Sequence, residues 1–123
     1  MDKKFYRCEI CGRQIDVIKD GGPLTCCGQS MTLLKANTSD GATEKHVPFI
    51  ERNGNEVTVT IGSVEHPMIP EHYIEWIQVV QGDKEWRVML HPGQKPQIKL
   101  TVDDGPIAVY EYCNLHGLWV AQG

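Results

Sequence analysis

The chain has 123 residues, 41% of them hydrophobic and 23% charged, with a formal net charge of −4. That balance suits one ordinary domain or two small ones, and it excludes disorder, which needs a lower apolar share and a higher net charge. No run approaches the roughly 18 consecutive apolar residues of a membrane-crossing helix. Residues 1–36 balance at +2 and residues 37–123 at −6, and neither part carries the basic stripe that nucleic acid requires.

The stretch from Met1 to Cys8 has no apolar h-region, so no secretory signal is expected and the protein is read as cytoplasmic. Five cysteines and five histidines are many metal-ligating side chains for this length. An odd cysteine count without a signal peptide argues against a disulfide scaffold.

Cys8, Cys11, Cys26 and Cys27 all fall in the first 27 residues. A segment the size of residues 1–36 cannot hold itself together by apolar burial alone, so a bound metal is expected there. Cys8-Glu9-Ile10-Cys11 is a knuckle whose turn aims two thiolates at one point, and Cys26-Cys27 supplies two more. Four thiolates suit tetrahedral zinc or iron and exclude calcium and magnesium. The donor set leaves zinc and iron open. Gly12 and Gly28 follow the pairs and let backbone amides approach the sulfurs. Adjacent cysteines at the second corner resemble the desulforedoxin variant of the rubredoxin-type iron site. That resemblance implies a one-electron centre with no open position for substrate.

From Ala36 to Lys45 the chain is polar and contains glycine, and residues 37–45 read as a linker. Residues 46–123 are dominated by a period of two. Val57, Val59 and Ile61 alternate with polar neighbours, as do Ile98, Leu100 and Val102, while Ile74–Val80 and Trp86–Leu90 are also strand-like. Asn53-Gly54, Gln81-Gly82-Asp83, His91-Pro92-Gly93 and Asp103-Asp104-Gly105-Pro106 supply turns. No window of helical length has a 3.6-residue apolar period, so the pattern predicts a mainly β fold, an antiparallel sandwich or barrel.

A second set of soft donors lies in this part: His46, His66, His72, His91, Cys113 and His116. Cys113 and His116 sit three apart on a loop expected after a strand over Ile107–Tyr112. His46, His66 and His72 are expected on loops or strand edges, where a rigid sheet positions them. His91, in its Pro-Gly turn, reads as a surface residue.

Glu44-Lys45-His46-Val47-Pro48, Gly62-Ser63-Val64-Glu65-His66-Pro67-Met68, His72-Tyr73-Ile74-Glu75-Trp76 and Glu111-Tyr112-Cys113-Asn114-Leu115-His116-Gly117 together resemble desulfoferrodoxin, the two-iron superoxide reductase. The resemblance covers nearly the whole chain. It implies a small desulforedoxin-like domain over 1–36, with one iron on Cys8, Cys11, Cys26 and Cys27. An immunoglobulin-like antiparallel β-sandwich over 46–123 would carry the second, catalytic iron. His46, His66, His72 and His116 would bind that iron equatorially and Cys113 axially, leaving the sixth position open.

Glu44 would occupy the open position after oxidation, and Lys45 would supply positive potential at the mouth. The implied reaction is one-electron reduction of superoxide to hydrogen peroxide without dioxygen production. A rubredoxin-like donor would restore the electron, and the chain would form a homodimer. Readings from other classes are a cupredoxin-like or rubredoxin-like electron carrier without superoxide chemistry, and a structural zinc-binding module. Blue copper uses a weak axial methionine, and no methionine follows His116. A cysteine hydrolase would need Cys113 and His116 oriented by a third group.

Overall fold

The computed structural model describes residues 3–38 and 43–123, so part of the expected linker, residues 39–42, lies outside the described residues. The chain divides into two compact units, residues 2–35 and 36–123.

The first unit contains five short strands: β1 Phe5–Arg7, β2 Gln14–Asp16, β3 Thr25–Cys26, β4 Gln29–Ser30 and β5 Thr32–Leu33. β1 lies between β2 and β5, with Tyr6 opposite both Ile15 and Leu33, and β3 pairs with β4 in a separate hairpin. Among the described residues of this unit only Phe5, Cys8 and Met31 are buried apolar side chains. Three side chains are too small a core to stabilise a unit of this size, which is the physical case for a metal here.

The second unit opens with one helical turn, α1 Thr43–His46. Seven strands follow: β6 Pro48–Asn53, β7 Glu56–Ile61, β8 Ile74–Gln81, β9 Lys84–Met89, β10 Gln97–Thr101, β11 Ala108–Cys113 and β12 Gly117–Gln122. They form two antiparallel sheets, β10-β7-β6 and β12-β11-β8-β9, the three-plus-four layout of an immunoglobulin-like sandwich. Val57, Val59 and Ile61 face Ile74, Ile77, Val79, Val109 and Cys113, while Leu90, Val102 and Ile107 close the edges of this core. The alternation read along β7 is therefore the packing pattern itself.

The four strands expected from alternation form as β7, β8, β9 and β10. The strand expected before Cys113 forms as β11, but it runs one residue further and includes Cys113. β6 and β12 were not anticipated. β6 alternates in burial but not in residue type, since Phe49 is exposed and Arg52 partly shielded, and β12 reads as an apolar run from Leu118 to Ala121, so neither displays a period of two in its sequence.

Asn37, the first residue of the expected linker, is tied to β12. Its N–H donates to the Leu118 carbonyl at 2.9 Å, its side-chain amide donates to Val120 O at 3.2 Å, and its Oδ1 accepts from Val120 N–H at 3.0 Å.

The sandwich has two chemically distinct ends. At one, Arg52 donates to the carbonyls of Gly54, Asp103 and Gly105, while Gln81 and Asp103 exchange two hydrogen bonds. At the other end converge the start of β6, the end of β7, the start of β8, the end of β11 and the start of β12. All the histidines considered below are at this second end; His91 lies there too, just beyond β9, whose last residues pair with the start of β8.

Candidate metal centres

The cysteine cluster is built from two turns. Cys8 N–H donates to Arg13 O and Gly12 N–H to Cys8 O, both at 2.9 Å, which folds the knuckle back on itself. Gly12 adopts φ +81°, a conformation costly for a residue with a Cβ. The second turn places Cys27 at φ +53° and Gly28 at +76°.

The four sulfurs lie within 4.8 Å of one another. Cys11 Sγ and Cys26 Sγ are 3.6 Å apart, and Cys26 Sγ and Cys27 Sγ 3.9 Å. Ligands at about 2.3 Å from a tetrahedral ion are about 3.8 Å from each other, whereas a disulfide needs about 2.05 Å. All four thiols are free. Backbone amides of Cys11, and then of Ile10, hold the Cys8 thiol down to about 6, helped by the neighbouring Cys11 and Cys26 side chains. Cys27 is pushed up to about 12, first by Cys11 and then by Cys26 and Cys8, and Cys26 is pushed up by Cys11 and Cys8. Four thiolates this close repel one another, so a cation at their centre is what permits all four to ionise.

The second cluster assembles from three places in the chain. α1 delivers His46, the β7–β8 connection delivers His66 and His72, and the end of β11 with the turn after it delivers Cys113 and His116. The expectation of loops or strand edges holds for His66 and His72; His46 instead ends a helical turn. A register shift between Tyr112 and Cys113 breaks the β11–β8 ladder where the chain turns into the site.

The imidazoles are arranged as a pinwheel. His46 and His72 face each other with ring centroids 6.2 Å apart and planes 28° apart. His66 stands edge-on to both, at 4.6 Å with angles of 79° and 78°. His116 does the same from its side, 4.6 Å and 80° from His46 and 5.1 Å and 69° from His72.

His66 Nε2 lies 3.1 Å from His46 Nε2. Two nitrogens about 2.1 Å from one ion and at right angles would be about 3.0 Å apart. Donor atoms of His46, His72, Cys113 and His116 fall within 4.8 Å of one another, and His116 turns Nδ1 toward Cys113 Sγ at 3.8 Å.

The protonation states favour a metal. His66 is pushed down to about 4, mainly by burial and then by the neighbouring imidazoles, against a raising hydrogen bond to Pro67. That contact, Nδ1 to Pro67 O at 2.7 Å, places the ring proton on Nδ1 and leaves the Nε2 lone pair free. Burial also lowers His72, and the charges of His116 and Lys45 add to the effect.

His72 Nε2 is buried with no hydrogen-bond partner among the described residues. An orphaned nitrogen of this kind, beside a thiol and three more imidazoles, is the observation that fits a metal. Burial pushes the Cys113 thiol up, while the backbone N–H groups of Leu115 and His116 pull it back toward thiolate.

Lys45 is half-buried beside His46, and the Glu44 side chain lies outside the described residues. His91 is exposed in its turn, where its N–H donates to Gln94 Oε1 at 2.7 Å.

Reading for chemistry-bearing types missed two contributors. Trp119 stacks on His46 with centroids 5.0 Å apart and planes 23° apart. Glu111 is wholly buried, and neither of its carboxylate oxygens has a hydrogen-bond partner among the described residues. Its place two residues before Cys113 on one strand would have put both on one face.

A β-sandwich carrying a buried His-and-Cys cluster, in a chain that also holds a four-cysteine cluster, defines a non-haem metalloprotein with two mononuclear centres. Comparison with known proteins makes this particular. The desulfoferrodoxin family model matches residues 38–122, and the model of the desulfoferrodoxin N-terminal domain matches residues 2–34. The chain belongs to the desulfoferrodoxin family.

It is 52% identical over 123 residues to a desulfoferrodoxin of Clostridium acetobutylicum, covering 98% of this chain and 97% of that one. It is 34% identical over 101 residues to a superoxide reductase of Thermococcus kodakarensis, covering 67% of this chain and 88% of that one. The crystal structure of the superoxide reductase from Treponema pallidum superposes with a TM-score of 0.77 at 30% identity, covering 98% of this chain and 99% of that one. The two donor sets match the two iron sites of desulfoferrodoxin.

Proposed function

We propose that the protein is a superoxide reductase, converting superoxide to hydrogen peroxide by one electron and two protons without releasing dioxygen. The observation that carries this reading is the convergence of four imidazoles and one thiol on a single point at the end of the sandwich, with His46, His66 and Cys113 buried and His72 and His116 partly so. In this reading His46, His66, His72, His116 and Cys113 hold the catalytic iron, and Cys8, Cys11, Cys26 and Cys27 hold the other. Ferrous iron in the His-and-Cys set supplies the single electron.

The side chains do the rest. Neutral imidazoles contribute lone pairs and no charge, and the single thiolate cancels only half of a divalent charge, so the site stays attractive to an anion. Lys45, in the same helical turn as His46, adds positive potential within a unit whose formal balance is −6 over residues 37–123. The Cys113 thiolate pushes electron density toward the metal, and the amides of Leu115 and His116 moderate that push. Lys45 orders the solvent that delivers the protons. Glu44 would be a ligand of the oxidised iron in this reading, so Glu44→Ala should change the resting ferric spectrum while leaving the reaction rate nearly intact.

The finer features rest on the family resemblance: a rubredoxin-like electron donor, a homodimer and a cytoplasmic location. Among the described residues no helix is long and apolar enough to cross a membrane.

The test is stepwise reduction of the iron-loaded protein, followed by visible absorption, and then rapid mixing with superoxide. Two chromophores bleaching at separate potentials, with peroxide formed and no dioxygen, are expected. Dioxygen formed in step with peroxide, or a colourless protein holding zinc at both sites, would overturn the reading.

A further inference from the structure

Trp119 supplies no donor atom, yet it touches two of the proposed ligands at once. It lies in β12 opposite Glu111, and alternation puts its indole on the same face as Glu111 and Cys113. It is only 3% exposed. One face of the indole covers the His46 ring, at 5.0 Å and 23°. Its Nε1–H donates to the His116 carbonyl at 3.1 Å.

His46 and His116 reach the site from separate elements, α1 and the β11–β12 turn, and their rings meet edge-on at 4.6 Å and 80°. The indole bridges them, with its face on the His46 ring and its Nε1–H on the His116 backbone carbonyl.

We propose that Trp119 is a positioning residue that fixes the mutual orientation of His46 and His116, and with it the geometry offered to the metal. The inference rests on the ligand set proposed above. A rotation of the His46 ring out of its plane would drive an edge into the indole face, so the stack holds the ring angle. The hydrogen bond ties the carbonyl of His116 to the same rigid bicycle, which limits how far the Cys113–Gly117 turn can shift. A large aromatic ring with few rotatable bonds holds two elements in register at low entropic cost.

The proposal separates into two contacts, which two variants remove in turn. Trp119→Phe keeps an aromatic face for His46 and removes the donor to His116. Trp119→Leu removes both. Iron-loaded proteins are compared by ferric electron paramagnetic resonance, by the energy of the thiolate-to-iron charge-transfer band, and by the rate of iron release to a chelator, beside the thermal midpoint of the metal-free proteins.

A shifted band and altered rhombicity are expected in Trp119→Phe, with larger changes and at least tenfold faster iron release in Trp119→Leu. A merely space-filling indole would lower the thermal midpoint and leave the spectra of loaded molecules where they were. Unchanged spectra in both variants would overturn the proposal. If Cys113→Ser leaves every thiolate-to-iron band of the iron-loaded protein unchanged, the ligand set itself is wrong and this inference falls with it. If Cys113→Ser removes one such band, the ligand reading stands, and the shift of that band in the Trp119 variants decides the role of Trp119. Should Trp119→Leu fail to fold, the spectra of Trp119→Phe decide: shifted, they support the role; unshifted, they overturn it.

Discussion

Lys45 sits in the helical turn that ends at His46, and its charge adds to the burial that depresses His72. A single cation at the mouth of a site in an acidic unit acts on encounter rather than on the bound state, raising on-rates by roughly 10–1000-fold at low salt. Lys45→Ala should therefore leave the visible spectrum unchanged and slow the second-order reaction with superoxide by about tenfold or more. Added salt should close the gap, because screening removes what the lysine contributes. A rate equal to that of the unaltered protein across ionic strengths would remove the steering role.

Glu111 is the opposite case, a buried carboxyl with no hydrogen-bond partner among the described residues. Burial raises its pKa well above the usual carboxylate range, so it keeps its proton. An unpaired buried acid costs about 1–3 kcal/mol, which an apolar side chain of similar length avoids. Glu111→Met should raise the thermal midpoint of the metal-free protein by a few degrees, as read by calorimetry; a lower midpoint would mean that the carboxyl has a partner.

At the scale of elements, the site depends on how closely the connections approach one another. Gly62, at φ +80°, sits where the β7 strand turns toward His66, and its N–H donates to Val47 O at 3.2 Å. A methyl group there would collide with the carbonyl oxygen of Val64 and lie 2.6 Å from that of Lys45. Backbone cannot swing aside as a side chain does, and a Cβ at positive φ costs about 1–2 kcal/mol besides. Gly62→Ala should push the Lys45–His46 turn away from the β7–β8 connection. The expected result is weaker iron binding at the His-and-Cys set with the four-cysteine spectrum intact, measured by iron stoichiometry and absorption. Equal loading would show that the turn absorbs the methyl group.

The strand pattern was legible for β7, β9 and β10 because their side chains alternate between shielded and exposed. β8 and β11 are buried along nearly their whole length and do not alternate; they were legible as runs rich in β-branched and aromatic residues, a signal that β12 carries more weakly.

At the scale of the molecule, the two units differ in what holds them together. The sandwich has a contiguous apolar core, whereas the cysteine unit buries Phe5, Cys8 and Met31 and little else apolar among the described residues. Removing one sulfur should therefore cost the small unit its fold, because metal binding and folding are one equilibrium there. Cys11→Ser should abolish the four-cysteine chromophore and expose residues 2–35 to proteolysis, while residues 36–123 keep their thermal transition and their iron. Loss of the His-and-Cys chromophore in the same variant would show that the units do not fold independently.

The sequence by itself determined the donor types, the cysteine knuckle, the turns and the β class, because each of these is a matter of local spacing and alternation. Its ordered motifs were also enough for the resemblance to desulfoferrodoxin. Which imidazoles stand opposite and which stand edge-on, the orphaned Nε2 of His72, the bridge from Trp119 and the isolation of Glu111 were decided only by the tertiary structure. Each joins residues far apart in the chain, and their meeting depends on the pairing and packing of strands, which no local pattern encodes.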